Sequence, residues 1–275
     1  VAYNRSPEPL AKIRKYGIDT ASSIQDLIRK LPMQKIIWIM VTAGKPVDLI
    51  IKELLPFLKK GDIIIDGGNS FYKDSVRRHN FLKGKGVYFF DIGTSGGLQG
   101  ARYGACLTIG GGKAQFKKIE NLCKAVSAKN GYAFVGEAGA GHFVKMVHNG
   151  IEYALLQAFG DGFELIHAGP YKNLDLKKIA ETWRHGSVIR SWLVELAADA
   201  FKNDENLSQI EGIVGGGETG KWAMNTAKEF HVPFESIKLA LNLRIKSRKK
   251  PGFAGKVIAA LRNEFGGHEV VKKKD

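Results

Sequence analysis

Cysteine is nearly absent from this chain. Its 275 residues include two, Cys106 and Cys123, and neither lies in a Cys-x-x-Cys pair. A disulfide framework, a cysteine zinc site and a dithiol redox motif are thereby excluded; reduced thiols in a cytoplasmic setting are the simpler reading. Long apolar runs are absent too. The longest, such as residues 36–41, fall far short of the about 20 residues that a bilayer needs, so no membrane partner is expected. Acidic side chains are in short supply. There are 27 against 42 basic ones, for a formal charge of +15. Such a surplus points to an anionic partner: nucleic acid, acidic lipid or phosphorylated small molecules. No secretory leader, internal repeat or low-complexity stretch is legible.

The remainder is that of a globular protein: 44% of residues are hydrophobic and 25% charged, and one or two domains fit the length. Basic charge concentrates toward the end. Between 241 and 275, ten Lys/Arg face three Asp/Glu, a net +7. The run Lys246-Ser247-Arg248-Lys249-Lys250 is the one candidate nucleic-acid patch. A solvated loop before Pro251-Gly252 is the commoner origin of such a run, so no nucleic-acid partner is expected.

The first half alternates short apolar runs with amphipathic stretches. Residues 1–4, 36–41, 62–66, 87–92 and 106–110 read as strands, nearly continuous in Val, Ile and Phe as strands buried on both faces are. Residues 9–16, 23–30, 46–59, 70–83 and 114–125 read as helices between them. That alternation predicts a Rossmann-like α/β domain with a doubly wound parallel sheet. From about Gly141 onward no strand is evident. Helical periodicity covers 141–167, 175–184, 188–202, 219–229, 234–246 and 253–265. An all-α domain over 139–275 is therefore expected after a dinucleotide-binding domain over 1–138. A dinucleotide fold opens with a strand, a Gly-rich turn and a helix. Here no G-x-G-x-x-G follows a predicted strand, so the first, central strand is expected to lie ahead of Val1, in a slightly longer protein.

Three constellations carry chemistry. Lys145, His148, Asn149 and Glu152 stand at i, i+3, i+4 and i+7, on one face of a predicted helix. A base, an imidazole, an amide and a carboxylic acid would share one cleft there; an exposed polar stripe is the bland alternative. Ser95-Gly96-Gly97 follows a strand, and its backbone N–H groups beside a hydroxyl could cradle a carboxylate. Asn69, in Asp66-Gly67-Gly68-Asn69-Ser70, ends another strand, either as a site residue or as a helix N-cap.

Together these residues resemble the decarboxylating 6-phosphogluconate dehydrogenases in their shorter form. The most specific stretch is Gly141-His142-Phe143-Val144-Lys145-Met146-Val147-His148-Asn149-Gly150-Ile151-Glu152-Tyr153. The resemblance runs from Val1 to about His268. It implies that Lys145 takes the proton of the C3 hydroxyl as hydride leaves C3, and later assists loss of CO₂. It implies that Glu152, as a neutral acid, protonates C1 of the resulting enediol to give ribulose 5-phosphate, an oxidative pentose phosphate step. Lys145 must begin neutral, so burial should lower its pKa. Ser95, Gly96, Gly97, His148 and Asn149 would hold the sugar acid, and Asn69 both substrate and cofactor. Tyr153, Lys221 and Arg190 would meet the phosphate. Arg262 and His268 would reach into the partner's site, which implies a homodimer. No metal is implied, since a β-keto acid loses CO₂ without a Lewis acid.

Cofactor choice has its own signal. NAD-binding folds place an acidic residue after the second strand, on the ribose hydroxyls. Here Asn4-Arg5-Ser6 stands at that point. Arg5 attracts a 2′-phosphate and Asn4 and Ser6 can donate to it, so NADP is favoured over NAD. Leu98-Gln99 after the Ser-Gly-Gly loop and Ala223 after Lys221-Trp222 depart from the family pattern. The competing readings are another β-hydroxyacid dehydrogenase acting on a small unphosphorylated acid, and a non-catalytic fragment lacking the Gly-rich loop.

Overall fold

The computed structural model describes residues 1–273. Two compact units emerge. The first comprises Val1–Thr94, Leu107–Lys124 and Tyr132–Val144; the second comprises Ser95–Cys106, Ala125–Gly131 and the chain from Lys145 onward.

Strands and helices alternate at first: β1 (Ala2–Tyr3), α1 (Pro7–Arg14), β2 (Thr20–Ala21), α2 (Ile24–Lys30), β3 (Ile36–Ile39), α3 (Lys45–Leu54), β4 (Ile63–Asp66), α4 (Tyr72–Lys83) and β5 (Tyr88–Ser95). Then follow α5 (Gly97–Tyr103), β6 (Ala105–Gly110), α6 (Lys113–Phe116), α7 (Glu120–Val126) and β7 (Ser127–Gly136). β1 and β2 pair in parallel as a sheet of their own. The other five strands form a second sheet in the order β3-β4-β5-β6-β7, with β3–β4 and β4–β5 parallel. The expected parallel α/β architecture is present. β4 shows why: Ile63, Ile64, Ile65 and Asp66 are buried at every position, so both faces are covered. Val47, Ile51 and Leu54, at i, i+4 and i+7 of α3, pack with Ile37, Ile39, Ile64 and Phe89. Each such side chain contributes roughly 1.5–3 kcal/mol of burial.

The helix expected over 114–125 is two, α6 and α7. The one expected from 188 starts at Trp192, where Ser191 caps the amide of Val194. Strands β2 and β7 and helix α5 have no counterpart in the sequence reading.

Helix α8 (Ala140–Ala168) begins in the first unit and continues in the second. There it is followed by α9 (Leu176–Trp183), α10 (Trp192–Asn203), α11 (Glu218–Glu229), α12 (Glu235–Ser247) and α13 (Phe253–Gly266). Phe163, Ala180, Ala197, Phe201, Val257, Ile258 and Leu261 form the core of this unit. Phe163 and Phe201 meet edge to face at 5.0 Å. α13 is thus built into the core of its own chain. No helix among the described residues is long and apolar enough to cross a membrane.

Candidate active site

The helix that carries the polar face is anchored at its start. Asp91, fully buried on β5, accepts the backbone N–H of Gly139 at 2.7 Å and of His142 at 2.8 Å. A carboxylate there satisfies orphan amides and complements the positive end of the helix. His142 Nδ1 is 2.7 Å from Ser75 Oγ on α4. Gly141 sits against the backbone of Asp91, Thr108 and Gly110 with no room for a side chain.

In the second unit three of the expected four residues come together with Ser95. Lys145 is 8% exposed, and its Nζ lies 3.3 Å from His148 Nδ1. That nitrogen is also 3.1 Å from Asn149 Oδ1, and His148 Nε2 is 3.3 Å from Ser95 Oγ. Ser95, His148, Lys145 and Asn149 are therefore one hydrogen-bonded group. Burial pulls the Lys145 ammonium below its ordinary value, only partly opposed by nearby Glu152 and Cys106. Burial, then the Lys145 charge, pull His148 down as well. A buried amine that sheds its proton readily is what a general base requires. Glu152, half-buried, follows two turns along α8.

The next residue, Tyr153, begins a second cluster. Its hydroxyl lies 3.1 Å from Thr219 Oγ1, and the Arg244 guanidinium stacks 3.6 Å from its ring centroid. Arg244 is buried, and desolvation first, then Arg262, pull it down to about 10 against the attraction of Tyr153 and Glu152. It remains charged at neutral pH. Desolvation also lowers Arg262, against the opposing pull of Tyr153 and Glu152. Desolvation, Arg262 and Arg244 hold the His268 imidazole below its usual range. Two desolvated guanidiniums and an imidazole around a tyrosine and a threonine hydroxyl form a nest for a dianion.

Three further groups of expected residues have their own surroundings. Lys221 is exposed, with its Nζ 2.9 Å from Glu218, while Thr219 and Arg244 are in contact with Tyr153. Arg190 is exposed in the loop before α10. Arg262, on α13, feels the charges of Tyr153 and Glu152 of the same chain, and His268, just after that helix, those of Arg262 and Arg244. The end of α13 also abuts the Ser95-Gly96-Gly97 loop. Gly97, at φ +56°, has the Phe265 carbonyl where a Cβ would lie. Gly97→Ala is expected to destabilise the protein by about 2 kcal/mol or more, read by urea unfolding. Wild-type stability in that variant would contradict the close approach.

In the first unit, Asn4, Arg5 and Ser6 are exposed between β1 and α1. Asn4 Nδ2 donates to the Ser6 carbonyl at 2.9 Å. Ser6 is the N-cap residue of α1, yet its hydroxyl makes no capping bond. A guanidinium, an uncommitted hydroxyl and a helix start suit a phosphate monoester, so the donor set fits the 2′-phosphate of NADP. Asn69 is exposed after β4, where the Thr94 hydroxyl donates to the Gly67 carbonyl at 3.1 Å.

A parallel α/β unit joined to a helical unit, with a buried lysine on the connecting helix, defines a nicotinamide-dependent hydroxyacid dehydrogenase architecture. The chain belongs to the 6-phosphogluconate dehydrogenase family. Residues 1–136 match the NAD-binding domain of 6-phosphogluconate dehydrogenase, and residues 141–260 its C-terminal domain. The chain is 43% identical to the YqeC protein of Bacillus subtilis (strain 168), over 99% of this chain and 91% of that one. It is 42% identical to the NAD⁺-dependent, decarboxylating 6-phosphogluconate dehydrogenase of Haloferax volcanii, over 100% and 91%. Plasmodium falciparum 6-phosphogluconate dehydrogenase, solved with NADP⁺ and with 6-phosphogluconate, superposes with a TM-score of 0.82 at 33% identity. That match covers 90% of this chain and 56% of the other. The 3-hydroxyisobutyrate dehydrogenase of Salmonella typhimurium shares the fold alone, with a TM-score of 0.71 at 18% identity, covering 93% and 90%.

Proposed function

We propose that this protein converts 6-phosphogluconate to ribulose 5-phosphate and CO₂, with NADP⁺ as its cofactor. The observation that carries this reading is the sequence of groups along α8 and its neighbours. A desolvated Lys145 and a half-buried Glu152 are followed directly by the Tyr153–Thr219–Arg244–Arg262 nest, in one unit. A substrate with a reacting hydroxy acid at one end and a phosphate at the other matches both. A short unphosphorylated acid would leave the nest unfilled. Family membership and the names of the relatives support the same substrate.

The residues divide the chemistry. Ser95, Gly96, Gly97, His148 and Asn149 receive the sugar acid, and Arg244, Arg262, His268, Thr219 and Tyr153 its phosphate. The neutral amine of Lys145 accepts the C3 hydroxyl proton. The nicotinamide, when bound, supplies the hydride acceptor for C3. The protonated Lys145 then donates to the C3 oxygen while the bond between C2 and the carboxylate breaks and CO₂ leaves. Glu152 delivers a proton to C1 of the five-carbon enediol. Incubation with 6-phosphogluconate and NADP⁺ is expected to give reduced cofactor and CO₂ in equal amounts. Preference for a short hydroxy acid over the sugar phosphate would refute the assignment.

NADP as the preferred cofactor rests on Arg5, since relatives differ and the Haloferax enzyme is NAD⁺-dependent. Arg5→Asp is expected to lower kcat/KM for NADP⁺ at least about tenfold while sparing NAD⁺, the loss of one charge-assisted hydrogen bond. Equal losses with both cofactors would remove Arg5 from the 2′-phosphate site. We divide the chain into a cofactor part over 1–138 and a substrate and dimerisation part over 139–275. A homodimer is supported by the exposed apolar strip Ile151, Leu155 and Leu165 along α8, which a second copy would cover; light scattering tests it. Two cysteines without a disulfide support a cytosolic setting.

A further inference from the structure

The most completely buried cation in the first unit is Arg78 on α4, at 2% exposure. Its guanidinium uses all three nitrogens. Nε donates to Asp48 Oδ1 at 2.7 Å, Nη1 to Asp66 Oδ2 at 3.2 Å, and Nη2 to the Gly44 carbonyl at 2.9 Å. These partners belong to two different connections. Gly44 is the N-cap of α3, and its carbonyl also accepts the Val47 amide at 3.1 Å; Asp48 lies in the first turn of the same helix. Asp66 ends β4 and is fully buried, and its other oxygen accepts the Gly68 amide at 3.2 Å. One side chain thus ties the β3–α3 loop to the β4–α4 loop. β3 and β4 are parallel neighbours, so both loops stand at the carboxyl edge of the sheet, where open α/β sheets receive their ligands. Asn69 is exposed in the second loop.

Stability does not explain such an arrangement. Desolvating an arginine and an aspartate offsets most of their attraction, and a well-packed apolar pair would hold the elements together as well. What a planar fork bound to three partners adds is geometry. Its neighbour Arg77 shows the contrast. Arg77 is exposed and pairs with Asp48 at 2.9 Å and Asp74 at 3.3 Å, but it touches neither loop carbonyl nor Asp66. The two arginines carry the same charge, one residue apart, and only one reaches the loops.

We propose that Arg78 is a positioning residue for cofactor binding, which locks the β3–α3 and β4–α4 loops into one arrangement so that Asn69 and the Gly68 carbonyl meet the dinucleotide together. This rests on the NADP-dependent activity proposed above. Lysine at 78 keeps the charge but, as a single point, cannot span Asp48, Asp66 and the Gly44 carbonyl at once.

The test is an NADPH titration by nicotinamide fluorescence, well below the melting temperature, joined to amide hydrogen exchange on the cofactor-free protein. Arg78→Lys is expected to raise the NADPH Kd about tenfold, the equivalent of one charged hydrogen bond. The Gly68 and Val47 amides should exchange faster together, while those of β5 keep their protection. Arg77→Ala is expected to leave both readouts unchanged. Asp48→Asn, which spares the Asp66 contact, should raise Kd about threefold and keeps the proposal testable if the lysine variant does not fold. A merely structural role would lower the melting temperature without moving Kd. Wild-type Kd in Arg78→Lys, or in Asp48→Asn if that is the variant that folds, would overturn the inference; so would an equal loss in Arg77→Ala, which would reduce the effect to surface charge. If wild-type protein binds no NADPH, the proposed function falls and this inference falls with it.

Discussion

Lys145→Ala is expected to lower kcat about a thousandfold, the middle of the range that a positioned proton acceptor supplies. The rate depends on which form of the amine the site favours. An ammonium has no lone pair, so activity must fall as pH drops through the Lys145 pKa. Burial sets that pKa below the ordinary 10.5, which moves the acid limb of kcat/KM toward neutrality. In the alanine variant this limb should vanish, leaving a low rate that is flat across the same window. Stability separates this loss from misfolding. Between the depressed folded pKa and the unfolded value the unfolded chain binds the extra proton, so wild-type stability rises with pH there. Below that window Lys145 is a buried charge that opposes folding. The alanine variant should therefore resist urea below that window at least as well as the wild type, and it should lose the rise in stability across it. Normal turnover in Lys145→Ala would remove it as the base. A pH profile that keeps its acid limb would assign that limb to another group, such as His148.

Much of this was legible in the sequence, and the exceptions have physical causes. β4 is buried at every position and β5 from Phe89 to Gly93, while β3 alternates half-buried and buried residues yet is wholly apolar, so all three stand out. β7 does not: Ser127, Ala128, Lys129, Asn130 and Gly131 open it, and most of its residues are exposed or half-exposed. A strand with no buried face carries no apolar pattern to read. β2 is two residues long, too short for any periodicity. The quartet on α8 was legible because it is local: four residues within eight positions share a face whatever the rest of the chain does. The proposed phosphate nest is not local. Thr219, Arg244 and Arg262 come from three helices and meet only through packing. One signal for Arg244 was available. Ala240, Leu241, Arg244 and Ser247 fall at i, i+1, i+4 and i+7, the buried face of α12. An arginine in register with that face is a buried cation awaiting an anion, whereas Lys221, three residues after Glu218 on α11, had a surface partner in sequence.

Arg244→Met is expected to raise KM for 6-phosphogluconate about a hundredfold and to leave NADPH binding unchanged. Arg244 stacks on Tyr153 beside Arg262, and desolvation is the largest influence on both guanidiniums. Each costs free energy to bury, and the two repel each other when no anion lies between them. A phosphate dianion reverses both terms, so removing one guanidinium withdraws two charge-assisted hydrogen bonds, about 3 kcal/mol or roughly a hundredfold. The same reasoning gives a thermal signature. Without ligand, Arg244→Met should melt no lower than the wild type, because methionine fills the space without a charge. Adding 6-phosphogluconate should raise the wild-type Tm, and the variant should lose most of that rise. Lys221→Met is the discriminating control. Lys221 is exposed and paired with Glu218, so its loss should change KM less than about threefold, as expected for a surface ion pair. A large KM effect at Lys221 with none at Arg244 would return the phosphate to the residue that the sequence resemblance indicated and would refute the nest around Tyr153. Gluconate closes the argument: the wild type should prefer the phosphorylated acid over it strongly, and Arg244→Met should erase most of that preference by weakening only the phosphorylated partner.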